Sequence, residues 1–126
     1  MTTRRRICFS DELLDGGRGV RFSAGVEGGG QSAFAVRFRG RVFAYLNRCG
    51  HVPVELDWQE TEFFDDSKVY LICATHGALY SPENGRCLAG RCHGNGLIPL
   101  PVEEQGGIVY LLDESKTIEF LRRESR

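Results

Sequence analysis

Short apolar runs, bounded by polar residues and glycine-containing turns, recur along the sequence. Residues 33–39 and 41–46 are rich in aromatic and β-branched side chains and flank Gly40, a pattern that predicts a β-hairpin. Residues 68–73 form another such run, and residues 78–80 begin the next. Runs of this length and composition are typical of strands rather than helices.

Turn chemistry connects the later runs. Residues 81–85 contain a proline that presets φ and an Asn-Gly pair that tolerates positive φ, so residues 86–88 should return antiparallel to the preceding strand. Residues 97–102 and 108–112 enclose Gly106-Gly107 and predict a closing hairpin. Many short strands joined by glycine turns indicate an all-β sandwich or barrel.

Composition narrows the class of protein. The 126 residues fit one domain, 1–126, and a net charge of -1 argues against nucleic-acid binding. No apolar stretch approaches the roughly 20 residues needed to span a bilayer, so no membrane association is expected. Acidic residues follow Arg4, Arg5 and Arg6, which favours a solvated N-terminus over a targeting signal and therefore the cytoplasm. A short helix is predicted over about residues 115–123.

Two mixed ligand pairs carry the candidate chemistry. Cys49 and His51 are one residue apart, and Cys73 and His76 are two residues apart. Such pairs suit a [2Fe–2S] cluster in which one iron takes the cysteines and the other takes the histidines. Structural zinc is the main alternative, but zinc fingers usually pair like ligands, Cys with Cys and His with His. A nucleophilic Cys–His pair is disfavoured because no third, orienting residue is evident.

The two motifs resemble the cluster-binding loops of Rieske [2Fe–2S] proteins. Cys49-Gly50-His51 matches Cys-x-His, and Cys73-Ala74-Thr75-His76 matches Cys-x-x-His. The resemblance covers about residues 33–112. It implies a Rieske-like antiparallel β-sandwich with a small cluster-binding subdomain formed by two loops, about residues 47–54 and 73–80. It also implies that Cys49 and Cys73 bind one iron and that His51 and His76 bind the other.

Several positions depart from the family pattern or refine it. Tyr80 matches the tyrosine that lies four residues after the second histidine in respiratory members, whereas Ala78 replaces their serine and offers no hydroxyl. Because hydrogen bonds to the sulfurs raise the reduction potential, we predict a potential below the upper end of the Rieske range of about −150 to +300 mV. Arg91 stands where many members carry the proline of a third loop over the cluster.

An acidic insertion, about residues 52–67, lengthens the interval between the two motifs beyond the family's usual one. It carries aromatic residues Trp58, Phe63 and Phe64. Two interpretations remain open: a surface loop pinned by an aromatic anchor, or a docking patch for a basic redox partner. Its acidic residues are Glu55, Asp57, Glu60, Glu62, Asp65 and Asp66.

The remaining cysteines and the third histidine are given structural roles. Cys8 lies in an apolar run and is expected to be a buried, inert thiol. In a reducing cytoplasm, Cys87 and Cys92 are expected to be thiols rather than a bridge. His93 is expected to be a loop histidine.

The expected function is electron transfer rather than catalysis. Rieske domains also occur in ring-hydroxylating oxygenases, whose mononuclear iron needs two more histidines and a carboxylate, but the chain has only three histidines in all. We therefore expect a soluble one-electron carrier, a monomer or weak homo-oligomer, that connects a reductase to a terminal oxygenase or other oxidoreductase. The alternative is a small Rieske subunit of a larger redox enzyme, such as a nitrite-reductase-like complex. The exposed edges of His51 and His76 are the expected electron exit.

Overall fold

The computed structural model describes residues 4–24, 31–48, 55–57, 61–73, 77–90 and 96–112. These residues form antiparallel β-sheets with one short 3-10 turn at Ser10–Glu12, so the predicted all-β fold is confirmed. The helix predicted near residues 115–123 lies outside the described residues. The strands are β1 (Arg5–Phe9), β2 (Val20–Ala24), β3 (Gln31–Phe38), β4 (Arg41–Leu46), β5 (Leu71–Ile72), β6 (Leu79–Tyr80), β7 (Cys87–Ala89), β8 (Pro99–Leu100), β9 (Val102–Gln105) and β10 (Ile108–Leu111).

The predicted hairpin around Gly40 forms the centre of a four-stranded sheet in the order β2-β3-β4-β8. Phe38 pairs with Arg41, and Arg39 and Gly40 between them both have positive φ, 52° and 79°. A two-residue turn of this kind matches the right-handed twist of the strands that it joins. The predicted hairpin is therefore confirmed.

Strand β3 is buried on both faces, and its two faces differ in side-chain size. Ala33 and Ala35 pack in one core, and the large residues Phe34, Val36 and Phe38 pack in another. This division follows from the alternation of side chains along a strand. The small face lies against a second sheet, ordered β1-β10-β9, and the large face lies toward a third sheet, ordered β5-β6-β7.

The closing hairpin is shorter than the sequence predicts. Strands β9 and β10 pair around Gly106-Gly107, but Pro99 and Leu100 leave this hairpin and pair with β4, Tyr45 opposite Pro99. The prolines at 99 and 101 lack the N–H groups that a continuous ladder needs. The chain therefore changes sheets at Pro101, and Leu100 is buried beside β4.

Arg37 ties the first residues of the chain to the central sheet. Its Nε donates a hydrogen bond to the carbonyl oxygen of Leu13 at 2.8 Å, and its Nη2 donates to that of Ser10 at 3.2 Å. The same guanidinium pairs with both carboxylate oxygens of Glu104 on β9. This contact lowers the pKa of Glu104 below its usual value. One side chain thus joins β3, β9 and the segment after β1.

In the part of the chain that the structure describes, no helix has the length and apolar character required to cross a bilayer.

Candidate metal centre

The second cluster-binding motif begins at the end of β5. The strand predicted over residues 68–73 is reduced to Leu71–Ile72, because the preceding residues form turns. Asp65 organises them: its backbone N–H donates to the carbonyl oxygen of Tyr70 at 2.9 Å, and its carbonyl accepts the N–H of Lys68 at 3.0 Å. Cys73 follows β5 directly, so the sheet fixes the backbone of this predicted ligand.

Two backbone hydrogen bonds close the loop that starts at Cys73. The N–H of Cys73 donates to the carbonyl oxygen of Ala78 at 2.9 Å, and the N–H of Gly77 donates to the carbonyl oxygen of Cys73 at 2.8 Å. Gly77 has a φ of 72°, which favours glycine. The predicted ligand His76 falls in the sequence between these two ends, outside the described residues. These bonds therefore hold Cys73 against residues 77 and 78 at the base of the loop.

Cys73 is a reduced cysteine in a fully buried environment. It shares one core with Ala78, Tyr80 and Leu97, of which the first two are also fully buried. The structure thus brings together Cys73, Ala78 and Tyr80, three of the residues that the sequence selects for the site. The other predicted ligands, Cys49, His51 and His76, lie outside the described residues.

The segment after β7 packs against the second loop. A Cβ atom added to Gly90 would lie 2.8 Å from the Cα of Ala78, and Gly90 has a φ of 94°. No real side chain tolerates so short a contact, so only glycine lets the backbone come this close. The family's third-loop proline is absent from this sequence at Arg91, yet the chain still approaches the cluster loop at the residue before it.

Tyr45 fastens the β6–β7 hairpin to the central sheet. Its buried hydroxyl donates to the carbonyl oxygen of Pro82 at 2.7 Å, in the turn that joins β6 and β7. Burial raises the pKa of the Tyr45 hydroxyl, which stays protonated and remains a donor. The predicted turn and the antiparallel return to β7 are both confirmed, with Tyr80 opposite Cys87.

Asn47 is a residue of the site region that the sequence analysis does not select. It is 4% exposed and follows β4 directly, two residues before Cys49. Its side chain contacts residues 56 and 57, on the far side of the first motif. The sequence signal that could have pointed to Asn47 is its place between an apolar strand and a ligand motif, although an asparagine at this place also fits an ordinary loop.

The described part of the acidic insertion is packed and largely charge-paired. Leu56, Phe63 and Phe64 are buried, and the Phe63 ring stacks on Phe34 with centroids 4.1 Å apart. Arg18 pairs with Glu62 at 2.8 Å. Arg21, on β2, pairs with Glu55 and lies 3.7 Å from Asp57, whose side chain is 3% exposed. These contacts favour the aromatic-anchor interpretation over a docking patch; Trp58 and Glu60 lie outside the described residues.

For the other cysteines, the structure confirms one prediction and contradicts another. Cys8 is a buried thiol, and burial raises its pKa to about 11, with a smaller contribution from Glu12. The prediction that Cys87 is a thiol is wrong, because the structure places it in a disulfide. Its partner lies outside the described residues, and so do both Cys92 and His93. Sequence spacing alone could not decide this, since a disulfide depends on the approach of two Cβ atoms.

Comparison with known families identifies the family of the chain. A sequence profile of the Rieske [2Fe-2S] domain matches residues 4–105. The chain belongs to the Rieske family. The cofactor named in the family's own description is the expected [2Fe–2S] cluster, so that expectation is confirmed. Cys73, the one predicted ligand among the described residues, also fits such a cluster. It is a reduced, buried thiol that follows a strand and lies at the base of a loop closed by backbone hydrogen bonds.

Solved structures agree with the Rieske fold. The ferredoxin of carbazole 1,9a-dioxygenase from Nocardioides aromaticivorans IC177 is 23% identical with a TM-score of 0.68, over 86% of this chain and 96% of that one. A Sphingomonas yanoikuyae B1 ferredoxin is 22% identical with a TM-score of 0.67, over 88% and 99%. The terminal oxygenase of carbazole 1,9a-dioxygenase from Novosphingobium sp. KA1 is 24% identical with a TM-score of 0.69, over 86% and only 29%. No protein of curated function is significantly similar in sequence.

Proposed function

We propose that this Rieske protein is a one-electron carrier. A bound [2Fe–2S] cluster accepts and releases a single electron. The observation that carries the proposal is the buried Cys73 at the base of a hydrogen-bonded loop, in the family's second ligand motif. The proposed ligands are Cys49 and Cys73 on one iron and His51 and His76 on the other.

The residues around Cys73 would hold this ligand rigidly and exclude water from it. The closed loop between Cys73 and Ala78 fixes the backbone of the thiolate ligand, so little rearrangement accompanies a change of charge at the site. Burial of Cys73, Ala78 and Tyr80 keeps water away from it. Histidine ligands make the cluster easier to reduce than four thiolates would. We propose that the edges of His51 and His76 pass the electron.

The proposed partners are a reductase as donor and a terminal oxygenase or other oxidoreductase as acceptor. Support comes from the two similar ferredoxins, which are matched over 96% and 99% of their lengths, against 29% for the similar oxygenase. Contact with such partners should be brief and steered by charge rather than by a large apolar area.

The test is metal analysis and redox titration of the purified protein and its ligand variants. We expect two irons and two sulfides per chain, as the cluster formula requires, with reversible uptake of one electron. Cys49→Ala and His76→Ala should remove the cluster. The matched controls are Cys8→Ala and His93→Ala, which change a cysteine and a histidine outside both motifs and should retain it. The proposal would be contradicted by zinc in place of iron, or by ligand variants that keep the cluster while the controls lose it.

A further inference from the structure

The side chain of Asn47 connects the two ends of the segment that carries the first ligand motif. Its Oδ1 accepts the backbone N–H of Leu56 at 2.9 Å, and its Nδ2 donates to Oδ1 of Asp57 at 3.2 Å. Cys49 and His51 both lie in the sequence between these anchor points. One amide group therefore brings residue 47 to residues 56 and 57, and every residue of the motif lies within the closed segment.

The network around Asn47 fixes its orientation. The backbone N–H of Asn47 donates to the carbonyl oxygen of Ser32 on β3 at 2.8 Å, which anchors it to the central sheet. On the other side, Oδ2 of Asp57 accepts the backbone N–H of Thr61 at 3.1 Å and lies 3.7 Å from Nη1 of Arg21. The amide thus meets an N–H donor at its oxygen and a carboxylate at its nitrogen, so the two atoms of the amide cannot be exchanged.

Burial makes this contact strong and selective. Asn47 is 4% exposed, and Leu56 is fully buried beside it. An amide in such a place is costly unless its hydrogen bonds are made, because water cannot replace a lost partner. Nδ2 of Asn47 also lies 3.4 Å from Oγ of Ser32, but the network is complete only when residues 47, 56 and 57 are together. That requirement holds together the described residues on either side of the first ligand motif.

We propose that Asn47 is a positioning residue that, together with Asp57, closes the segment of the first ligand motif and sets the placement of Cys49 and His51. Within the described residues, the second motif is closed by backbone hydrogen bonds at Cys73, so the two halves of the site would be held by different means. The inference rests on the proposed function, since it assumes that Cys49 and His51 bind the cluster.

The experiment compares the rate of cluster release from four variants of the holoprotein, followed by visible absorption, with the EPR spectrum of each reduced variant. Loss of a side chain that orients ligands typically costs about 10- to 100-fold in metal affinity. We therefore expect Asn47→Ala to release its cluster about tenfold faster than the wild type and to shift or broaden its EPR signal.

Tyr45→Phe is the matched control. Tyr45 lies on β4, two residues before Asn47, and is also buried; its hydroxyl makes one hydrogen bond, to Pro82 in the β6–β7 turn, away from the first ligand motif. A general loss of stability from unmade buried hydrogen bonds would therefore appear in both variants, whereas an effect on the first ligand motif would appear only in Asn47→Ala, which removes the contacts with residues 56 and 57. We expect Tyr45→Phe to keep the wild-type EPR spectrum and a release rate within about twofold of wild type.

A charge exchange makes the test independent of simple destabilisation. Asn47→Asp places a second carboxylate against Asp57 and should release the cluster as fast as Asn47→Ala. The double variant Asn47→Asp/Asp57→Asn restores a donor opposite an acceptor and should return the rate and the spectrum close to wild type. Equal behaviour of Asn47→Ala and Tyr45→Phe, or no rescue in the double variant, would overturn the proposal. A wild-type protein without a cluster would instead refute the proposed function itself.

Discussion

Gly90 offers a direct test of whether the segment after β7 closes over the second cluster loop. Its φ of 94° is unfavourable for any side chain, and an added Cβ would approach the Cα of Ala78 to 2.8 Å. The perturbation is Gly90→Ala. The matched control is Gly106→Ala, at a φ of 60° in the β9–β10 turn, where an added Cβ meets nothing within 4 Å.

The expected cost follows from separate contributions. Placing alanine at positive φ costs about 1–2 kcal/mol. Forcing a methyl group into a filled space costs about a further 1–3 kcal/mol. Alanine also lowers the conformational entropy of the unfolded chain, which offsets about 0.4–1 kcal/mol of this cost. Gly90→Ala should therefore destabilise the closed loop by about 2–3 kcal/mol, whereas Gly106→Ala, which lacks the steric contribution, should cost about 1 kcal/mol or less.

The assay is the rate of cluster loss in a fixed, sub-denaturing urea concentration. A difference of about 2 kcal/mol in the opening equilibrium corresponds to about a 30-fold difference in the open population, since 1.4 kcal/mol is tenfold. We expect Gly90→Ala to lose its visible absorption at least tenfold faster than Gly106→Ala. If the two variants lose the cluster at the same rate, the segment at Gly90 does not cover the loop and the reasoning is refuted.

Three further predictions follow from the charges and thiols of the structure. The Arg37 contact lowers the pKa of Glu104 below its ordinary value, so the contact stabilises the fold above that ordinary value and the contribution is lost as pH falls through the lower, folded-state value. Glu104→Gln should therefore cost about 1–2 kcal/mol at pH 7 and progressively less as the pH falls into the acid range, measured by urea titration, and an equal cost at every pH would contradict this. Cys8, buried with a pKa of about 11, should resist iodoacetamide at pH 8 in the native protein, and labelling as fast as in urea would show that it is accessible. Ala78→Ser supplies the missing hydroxyl and should raise the reduction potential by roughly 20–60 mV, the one-electron equivalent of about 0.5–1.5 kcal/mol for one hydrogen bond. The control Ala89→Ser, at an exposed position, should leave the potential unchanged.

The sequence predicts the local parts of this fold well. Gly40, Gly106-Gly107 and the Asn-Gly pair at 84–85 mark three of the hairpin turns correctly, because tolerance of positive φ is a property of the residues themselves. Strands β1 and β2 are missed. Their exposed arginines and mixed pattern acquire strand geometry only through pairing with β10 and β3, which is a long-range property.

The sequence predicts the ligand motifs of the site but not the contacts that surround them. Cys73, Ala78 and Tyr80 are identified from spacing and resemblance, and the structure brings them together in one core. The roles of Asn47 and Gly90 depend on contacts with distant residues, which no spacing rule contains. The acidic insertion shows the same limit: its charges are visible in the sequence, but their pairing with Arg18 and Arg21 is not.

The central claim is that two cysteines and two histidines hold one [2Fe–2S] cluster. Pulsed EPR of the dithionite-reduced protein, grown with ¹⁵N-labelled histidine, tests it most directly because it detects nitrogen bound to the reduced iron. We predict the rhombic, low-average-g signal of mixed ligation with couplings from two histidine nitrogens, and loss of both signal and couplings in His76→Ala. A cluster signal without histidine nitrogen coupling, or an EPR-silent protein that contains zinc, would contradict the account.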